Sequence, residues 1–280
     1  MVYLRAKIVK GEKYLYLVKS VWDPKKNTSK QETIKYLGKS SEITRDDIPP
    51  DYRNDPKIIS FLASDEMLLV TKKDELLSKI KDQLYRHLIK GDFDGTKQLC
   101  DDYSSSSGFV SFFEKILTPV MHHIGEMWQK NKISIADEHV ASNVANILVK
   151  TIQERNSKLP TKKRVVICVP EGEQHNLGAN MIETYLSSLG FKVYNLTPSE
   201  PHDSIISFIE NIKPDATLVS LTLPDSVKPA QRLVRKILQR SDGDVFVGGQ
   251  GVNERMKFDG AQVMASSMKN LARTLNAKNR

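Results

Sequence analysis

Residues 164–178 read RVVICVPEGEQHNLG, and the fold turns on them. The first half, Arg164–Pro170, is a short apolar run of the kind that forms a buried strand. The second half sets an acid, an imidazole and a glycine, Glu173, His175 and Gly178, directly after it. A polar strand-to-helix loop with an N-cap and a turn glycine accounts for the pattern in the simplest way. The sharper reading is a loop that presents one imidazole at the C-terminal edge of a sheet.

Outward from this stretch the pattern repeats. From about residue 163, RVVICVP, FKVYNL, ATLVSLTL, DVFVGG and AQVMA are short apolar runs, with NMIETYLSSLG, DSIISFIENIK and PAQRLVRKILQRS as helical stretches among them. This rhythm predicts an α/β fold, a doubly wound parallel sheet over 163–280 with helices on both faces. Ligands of such sheets bind beyond the carboxyl ends of the strands. SLTLPDS after the third strand and GGQG after the fourth fall there, beside the opening loop.

Upstream, residues 57–157 read as a four-helix bundle. The first helix has Leu76, Leu77, Ile80, Leu84 and Leu88 on one face and stops at Gly91. A short helix through Lys97 and Leu99 is expected to end at SSSSG. A third carries Phe112, Phe113, Ile116, Leu117, Val120, Ile124, Met127 and Trp128, with Pro119 as a kink or first turn. The fourth is capped by Ser134 and Asp137 and carries Val140, Val144, Ile147 and Leu148. Residues 1–50 read as a β-rich module, two strands flanking PKKNTSK, and DDIPPDYRNDP marks a boundary near 46–56.

At 280 residues, with 39% hydrophobic and 27% charged, the chain is globular and long enough for two domains. The absence of a long apolar span or signal core predicts a cytoplasmic protein without a membrane partner. Cys100 and Cys168 are expected as reduced thiols. Of the net charge of +8, residues 1–45 supply seven, eleven bases against four acids. That concentration points to an acidic partner such as nucleic acid, with Lys25, Lys26 and Lys30 at the turn best placed to reach it.

The three loops, taken in order, resemble those of the cobalamin-binding domain family: acid-x-His-x-x-Gly, then a serine-containing loop, then a double glycine. Glu173, His175 and Gly178, Ser220 and Thr222, and Gly248 and Gly249 match these positions. The resemblance implies that His175 replaces the cofactor's own benzimidazole on cobalt and that Glu173 takes the other ring N–H. It implies that Ser220 and Thr222 line the pocket of the displaced nucleotide tail and that Ser226 hydrogen-bonds Glu173. Asn176, Leu177 and Gln250 complete the cofactor-binding loops, and the glycines leave the channel clear.

A second pattern, W-x9-E-H, is similar to that of the light-sensing, adenosylcobalamin-dependent MerR-type repressors of the CarH group. Trp128, Ile135, Glu138 and His139 would surround the adenosyl group there, although Trp128 by itself reads as a core residue. Two departures stand out. Gln129 occupies the position of a second histidine that takes cobalt after photolysis, a part left to His139, His122 or His123. The N-terminal region is also not a helical MerR domain; its strands, ending in IKYLGK, resemble the N-terminal segments of some transposases. The resemblance implies a non-enzymatic sensor that uses adenosylcobalamin, controls nucleic-acid or partner binding and is able to form a homo-oligomer. The alternative is a corrinoid methyl carrier that uses methylcobalamin.

Overall fold

The structure, a computed structural model, describes residues 2–24, 27–64, 70–160, 162–253, 255–264 and 267–277. Lys25 and Lys26, singled out above, lie outside the described residues. The chain divides into two compact units, Met1–Val144 and Ala145–Arg280.

The first unit opens with an antiparallel sheet of three strands, β1 (Val2–Val9), β2 (Glu12–Asp23) and β3 (Thr28–Lys39), in that spatial order. Two strands were expected. The extra one, VYLRAKIV, alternates apolar and polar residues as a half-buried strand does, and its polar positions include Arg5 and Lys7. Lys10 and Gly11, both at positive φ, turn β1 into β2. Leu4, Leu15 and Leu17 form the buried side, and α1 (Pro56–Ala63) packs on β1.

Among the described residues, five α-helices occupy the region where four were expected. The addition is α1, begun by Pro56 and capped by Asp55, whose side chain accepts from Lys57 N–H at 2.9 Å. Next comes α2 (Val70–Ile89), with Leu76, Leu77, Ile80, Leu84 and Leu88 all buried, and Gly91 closes it at φ 67°. The following helix, α3, spans Phe93–Phe112 with a break at Gly108, φ 75° and ψ 158°, so the stretch that begins at Phe93 stops at the end of the SSSSG run, as expected, and a second helical stretch starts there. The serines survive because they find partners: Ser105 Oγ donates to Asp102 O, and Ser106 and Ser107 hydroxyls donate to the Lys57 and Ser60 carbonyls of α1.

A wider π turn over Phe113–Leu117 leads into α4 (Thr118–Gln129). Pro119 therefore marks a first turn, where its missing N–H costs nothing. The turn buries Phe112, Phe113, Ile116 and Leu117 together. Asn131, at φ 54°, reverses the chain, and α5 (Ile135–Asn156) follows. Ser134 and Asp137 cap it reciprocally: Ser134 N and Oγ both donate to Asp137 Oδ2, and Asp137 N donates back to Ser134 Oγ at 3.1 Å. The buried stripe of α5 runs through Ala141, Val144, Ala145, Leu148 and Val149. Val140 and Ile147, expected inside, are exposed because the small alanines take the contact side.

The second unit is a five-stranded parallel sheet in the order β5-β4-β6-β7-β8. The strands are β4 (Arg164–Cys168), β5 (Lys192–Asn195), β6 (Ala216–Ser220), β7 (Asp244–Gly248) and β8 (Gln262–Met264). The helices are α6 (Leu177–Ser188), α7 (His202–Ile212), α8 (Val227–Arg240) and α9 (Met268–Ala277). Alternate β4 residues point to opposite faces: Val165 and Ile167 join a core with Leu186 and Leu271, Val166 and Cys168 one with Ile205 and Leu233. The expected Rossmann-like sheet is present, with α9 as an addition. Cys100 and Cys168 are both buried, reduced thiols, and burial pushes Cys168 up to about 12. No helix among the described residues is long and apolar enough to cross a membrane.

Candidate functional site

The strand order reverses direction at β4, whose neighbours are β5 on one side and β6 on the other. The loop after β4 and the loop after β6 thus face each other across the point where open α/β sheets hold ligands. Glu173 joins them. Its side chain is fully buried, yet it accepts five hydrogen bonds. Oε1 accepts from His175 Nδ1 at 2.5 Å and from His175 N at 3.2 Å. Oε2 accepts from Thr222 N at 3.1 Å, Leu223 N at 3.2 Å and Ser226 Oγ at 3.2 Å. Burial alone would disfavour the charge, but the bonds from the His175 ring and N–H and from Leu223 and Thr222 N–H outweigh it. They bring the Glu173 pKa down to about 2.

An ionised carboxylate accepts only, so Nδ1 of His175 carries a proton, and in the neutral ring the lone pair is on Nε2. The ring itself is 48% exposed above the buried acid. Among the described residues no group of three or more His, Cys, Asp or Glu could hold an ion. One oriented imidazole suits a metal that brings its own equatorial ligands, as a corrin macrocycle does.

The glycines divide by cause. A Cβ at Gly178, in the first turn of α6, would meet nothing within 4 Å, so the fold itself does not require glycine there. At Gly249, φ 111°, a Cβ would lie 2.2 Å from Leu221 O, and at Gly248 one would lie 2.8 Å from Met264 O. Those two are needed so that the loop after β7 can lie against β6 and β8. Leu221 N donates to Gly248 O and Gly251 N to Leu221 O, which locks the loops together. Ser220 is buried at the end of β6, Thr222 is half-buried, and Gln250 is exposed. Asn176 and Leu177 lead into α6, with Asn176 as an N-cap whose side chain makes no cap bond.

Sequence reasoning missed the brace behind this loop. Gly172 N donates to Ser199 Oγ at 2.7 Å, Ser199 N to Glu173 O at 3.1 Å, and Glu171 N to His202 Nε2 at 3.2 Å. Burial lowers the pKa of His202, in keeping with an accepting, neutral ring. Ser199 and His202 come from the β5–α7 segment, and no local pattern marks them as partners of residues 171–173. A buried histidine at a helix start is the one signal available.

In the first unit, Trp128 lies in the last turn of α4, and Ile135, Glu138 and His139 lie at the start of α5. Trp128 is 41% exposed and Ile135 57%, so the tryptophan is not a core residue. The buried side of α4 is completed by Val120 and Ile124, and Trp128 falls beyond it in the last turn. Glu138 Oε2 lies 2.7 Å from His139 Nδ1, while Oε1 accepts from Ser142 Oγ at 2.6 Å. His123 lies against Tyr85, ring centroids 5.6 Å apart, and burial lowers the pKa of His122.

Residues 80–153 match one B12 binding domain family and residues 163–266 a second, together more than half of the chain. The chain belongs to the B12-binding domain family. Its cofactor is cobalamin, and the Glu173–His175 pair and the open space at Gly178 fit it. Trimethylamine corrinoid protein 1 of Methanosarcina mazei is 22% identical over 196 residues, 66% of this chain and 88% of that protein. The HTH-type transcriptional repressor CarA of Myxococcus xanthus is 23% identical over 194 residues, 67% of this chain and 66% of the repressor. The solved Methanosarcina barkeri monomethylamine corrinoid protein shares the fold, with a TM-score of 0.61 at 18% identity over 72% of this chain and 99% of that one. The N-terminal sheet of this B12-binding protein lies outside both matched segments.

Proposed function

We propose that this B12-binding protein is a sensor, in which adenosylcobalamin sets whether the chain engages its partner. His175 serves as the lower ligand and Trp128, Ile135, Glu138 and His139 recognise the adenosyl group. Bound cobalamin supplies a cobalt–carbon bond that light or chemical attack can break. The protein's own part is to hold the cofactor, fix the His175 tautomer through Glu173 and register what the upper ligand is. The basic N-terminal module is the output, directed to nucleic acid.

One observation carries this reading: two large apolar side chains flanking the α4–α5 turn, Trp128 and Ile135, are exposed to solvent, and Glu138 and His139 in the first turns of α5 form a hydrogen-bonded carboxylate–imidazole pair. An indole and an aliphatic chain suit a purine base, and the polar pair suits ribose hydroxyls. A methyl group would use neither.

Competitive titration of adenosylcobalamin against methylcobalamin tests the reading, with absorption spectra taken before and after green light. Tighter adenosylcobalamin binding that Trp128→Ala abolishes is the expected result. Preference for methylcobalamin would favour the second reading, a methyl carrier serving separate methyltransferases. That reading draws on the alignment along 88% of a trimethylamine corrinoid protein.

A further inference from the structure

The N-terminal sheet buries one face and leaves most of the other, apart from Val18, at least partly open to solvent. Leu4 on β1 and Leu15 and Leu17 on β2 point inward, so Tyr3, Arg5 and Lys7 and also Tyr14 and Tyr16 point outward. The register sets Arg5 opposite Tyr16, Lys7 opposite Tyr14, and Tyr36 of β3 opposite Tyr16. The rings form a cluster: Tyr16 and Tyr36 have centroids 5.1 Å apart, and Tyr14 and Tyr36 stack at 6.4 Å with planes 28° apart. Further along β2, past Val18, which is buried on this side, Trp22 is 58% exposed, and Tyr36 is 53% exposed.

This face therefore carries Tyr3, Tyr14, Tyr16, Trp22 and Tyr36, with Arg5 and Lys7 on its β1 side. Arg5 is held in place, its Nη1 donating to Gln31 Oε1 at 2.7 Å while Gln31 Nε2 donates to the Tyr3 hydroxyl at 2.5 Å. Glu12, an acid on the outward positions of β2, is matched by Lys39 at 3.5 Å.

We propose that this face binds a single-stranded polynucleotide, bases stacking on Tyr36, Tyr16 and Trp22 and phosphates meeting Arg5 and Lys7. Aromatic rings on an open sheet offer π faces, which unpaired bases can use and the already stacked bases of a duplex cannot. The seven excess positive charges of residues 1–45 complement a phosphate chain and oppose a protein partner, since protein interface cores are depleted of charge. The inference goes beyond the sensor reading and stands without the cofactor.

The test uses the full-length protein and fluorescence anisotropy with labelled strands of about 12 nucleotides, single-stranded DNA, single-stranded RNA and the same DNA as a duplex. Single strands should bind at least about tenfold tighter than the duplex, with affinity falling as salt rises. Tyr36→Leu and Trp22→Leu should each weaken binding about fivefold or more, and Tyr36→Phe should retain it, because the ring and not the hydroxyl is used. The DNA and RNA arms identify which strand is preferred. Equal or tighter duplex binding, no binding at low salt, or a Tyr36→Leu variant that binds as the parent does would each overturn the proposal. Repeating the titration with and without adenosylcobalamin separates the two claims. Unchanged single-strand affinity leaves this inference standing and removes this face as the sensor's output, whereas absent binding in both states sinks the inference alone.

Discussion

His175 Nδ1 lies 2.5 Å from Oε1 of Glu173, a carboxylate that is buried and still charged. The two residues are separated by one position, but the acid is held from a distance. Thr222, Leu223 and Ser226 reach it from the loop after β6. The orientation of a half-exposed imidazole is thereby tied to the closure of two loops at the centre of the sheet.

Glu173→Gln should loosen that tie. The amide places an N–H₂ among donors of which only the Ser226 hydroxyl and, by a change of tautomer, His175 Nδ1 can also accept, so at least one backbone N–H bond is lost and the ring's proton is no longer fixed. Partners of this kind behind a metal-binding histidine are worth 10- to 100-fold in affinity, and a cobalamin Kd raised by about that factor is expected. Equilibrium titration followed by absorption measures it. An unchanged Kd would mean that the carboxylate supports the loop alone.

The same residue makes stability fall in acid. Its pKa is about 2 in the folded chain against 4.5 ordinarily, so the folded state favours the ionised form. The contribution is complete above about pH 5 and is lost progressively as pH falls through 4.5 toward 2. A difference of this size is worth on the order of 3 kcal/mol. Denaturant unfolding at a series of pH values should show this acid limb, and Glu173→Gln should flatten it while lowering stability at neutral pH.

Two glycines should respond in opposite ways. Gly178→Ala puts its methyl into open space at a helical position, so folding stability should hold or rise, by about 0.4–1 kcal/mol. Cobalamin affinity should fall if the cofactor passes there. Gly249→Ala forces a methyl to 2.2 Å from Leu221 O at φ 111°, and about 3 kcal/mol or more of stability should be lost. Paired unfolding and binding curves separate the ligand-facing glycine from the structural one.

Much of this was legible in the sequence, and the failures have physical causes. The βαβ alternation from Arg164 on found all five parallel strands, since strands buried on both faces read as unbroken apolar runs. Strand β1 was missed although Leu4, Ala6 and Ile8 alternate with Arg5 and Lys7 as in a half-buried strand. Helix α1 spans only Pro56–Ala63, too few turns for a 3.6-residue period to register. The stop expected at SSSSG falls at its glycine, Gly108, while the serines before it are held by the Lys57 and Ser60 carbonyls. At the site, Glu173 and His175 were visible as a local pair, and Ser226 was named through the family resemblance. The Thr222 and Leu223 amides, and the brace from Ser199 and His202, arise only once β4, β5 and β6 lie side by side.

The central claim is that His175 is the axial ligand of cobalt, and electron paramagnetic resonance tests it most directly. Protein grown with ¹⁵N-histidine is loaded with unlabelled cobalamin, and the cobalt is brought to its paramagnetic divalent state. An axial nitrogen from the protein would change the superhyperfine pattern from the triplet of ¹⁴N to the doublet of ¹⁵N, and His175→Ala would remove that doublet. A triplet that survives histidine labelling would mean that the cofactor keeps its own benzimidazole on cobalt, and would contradict the account.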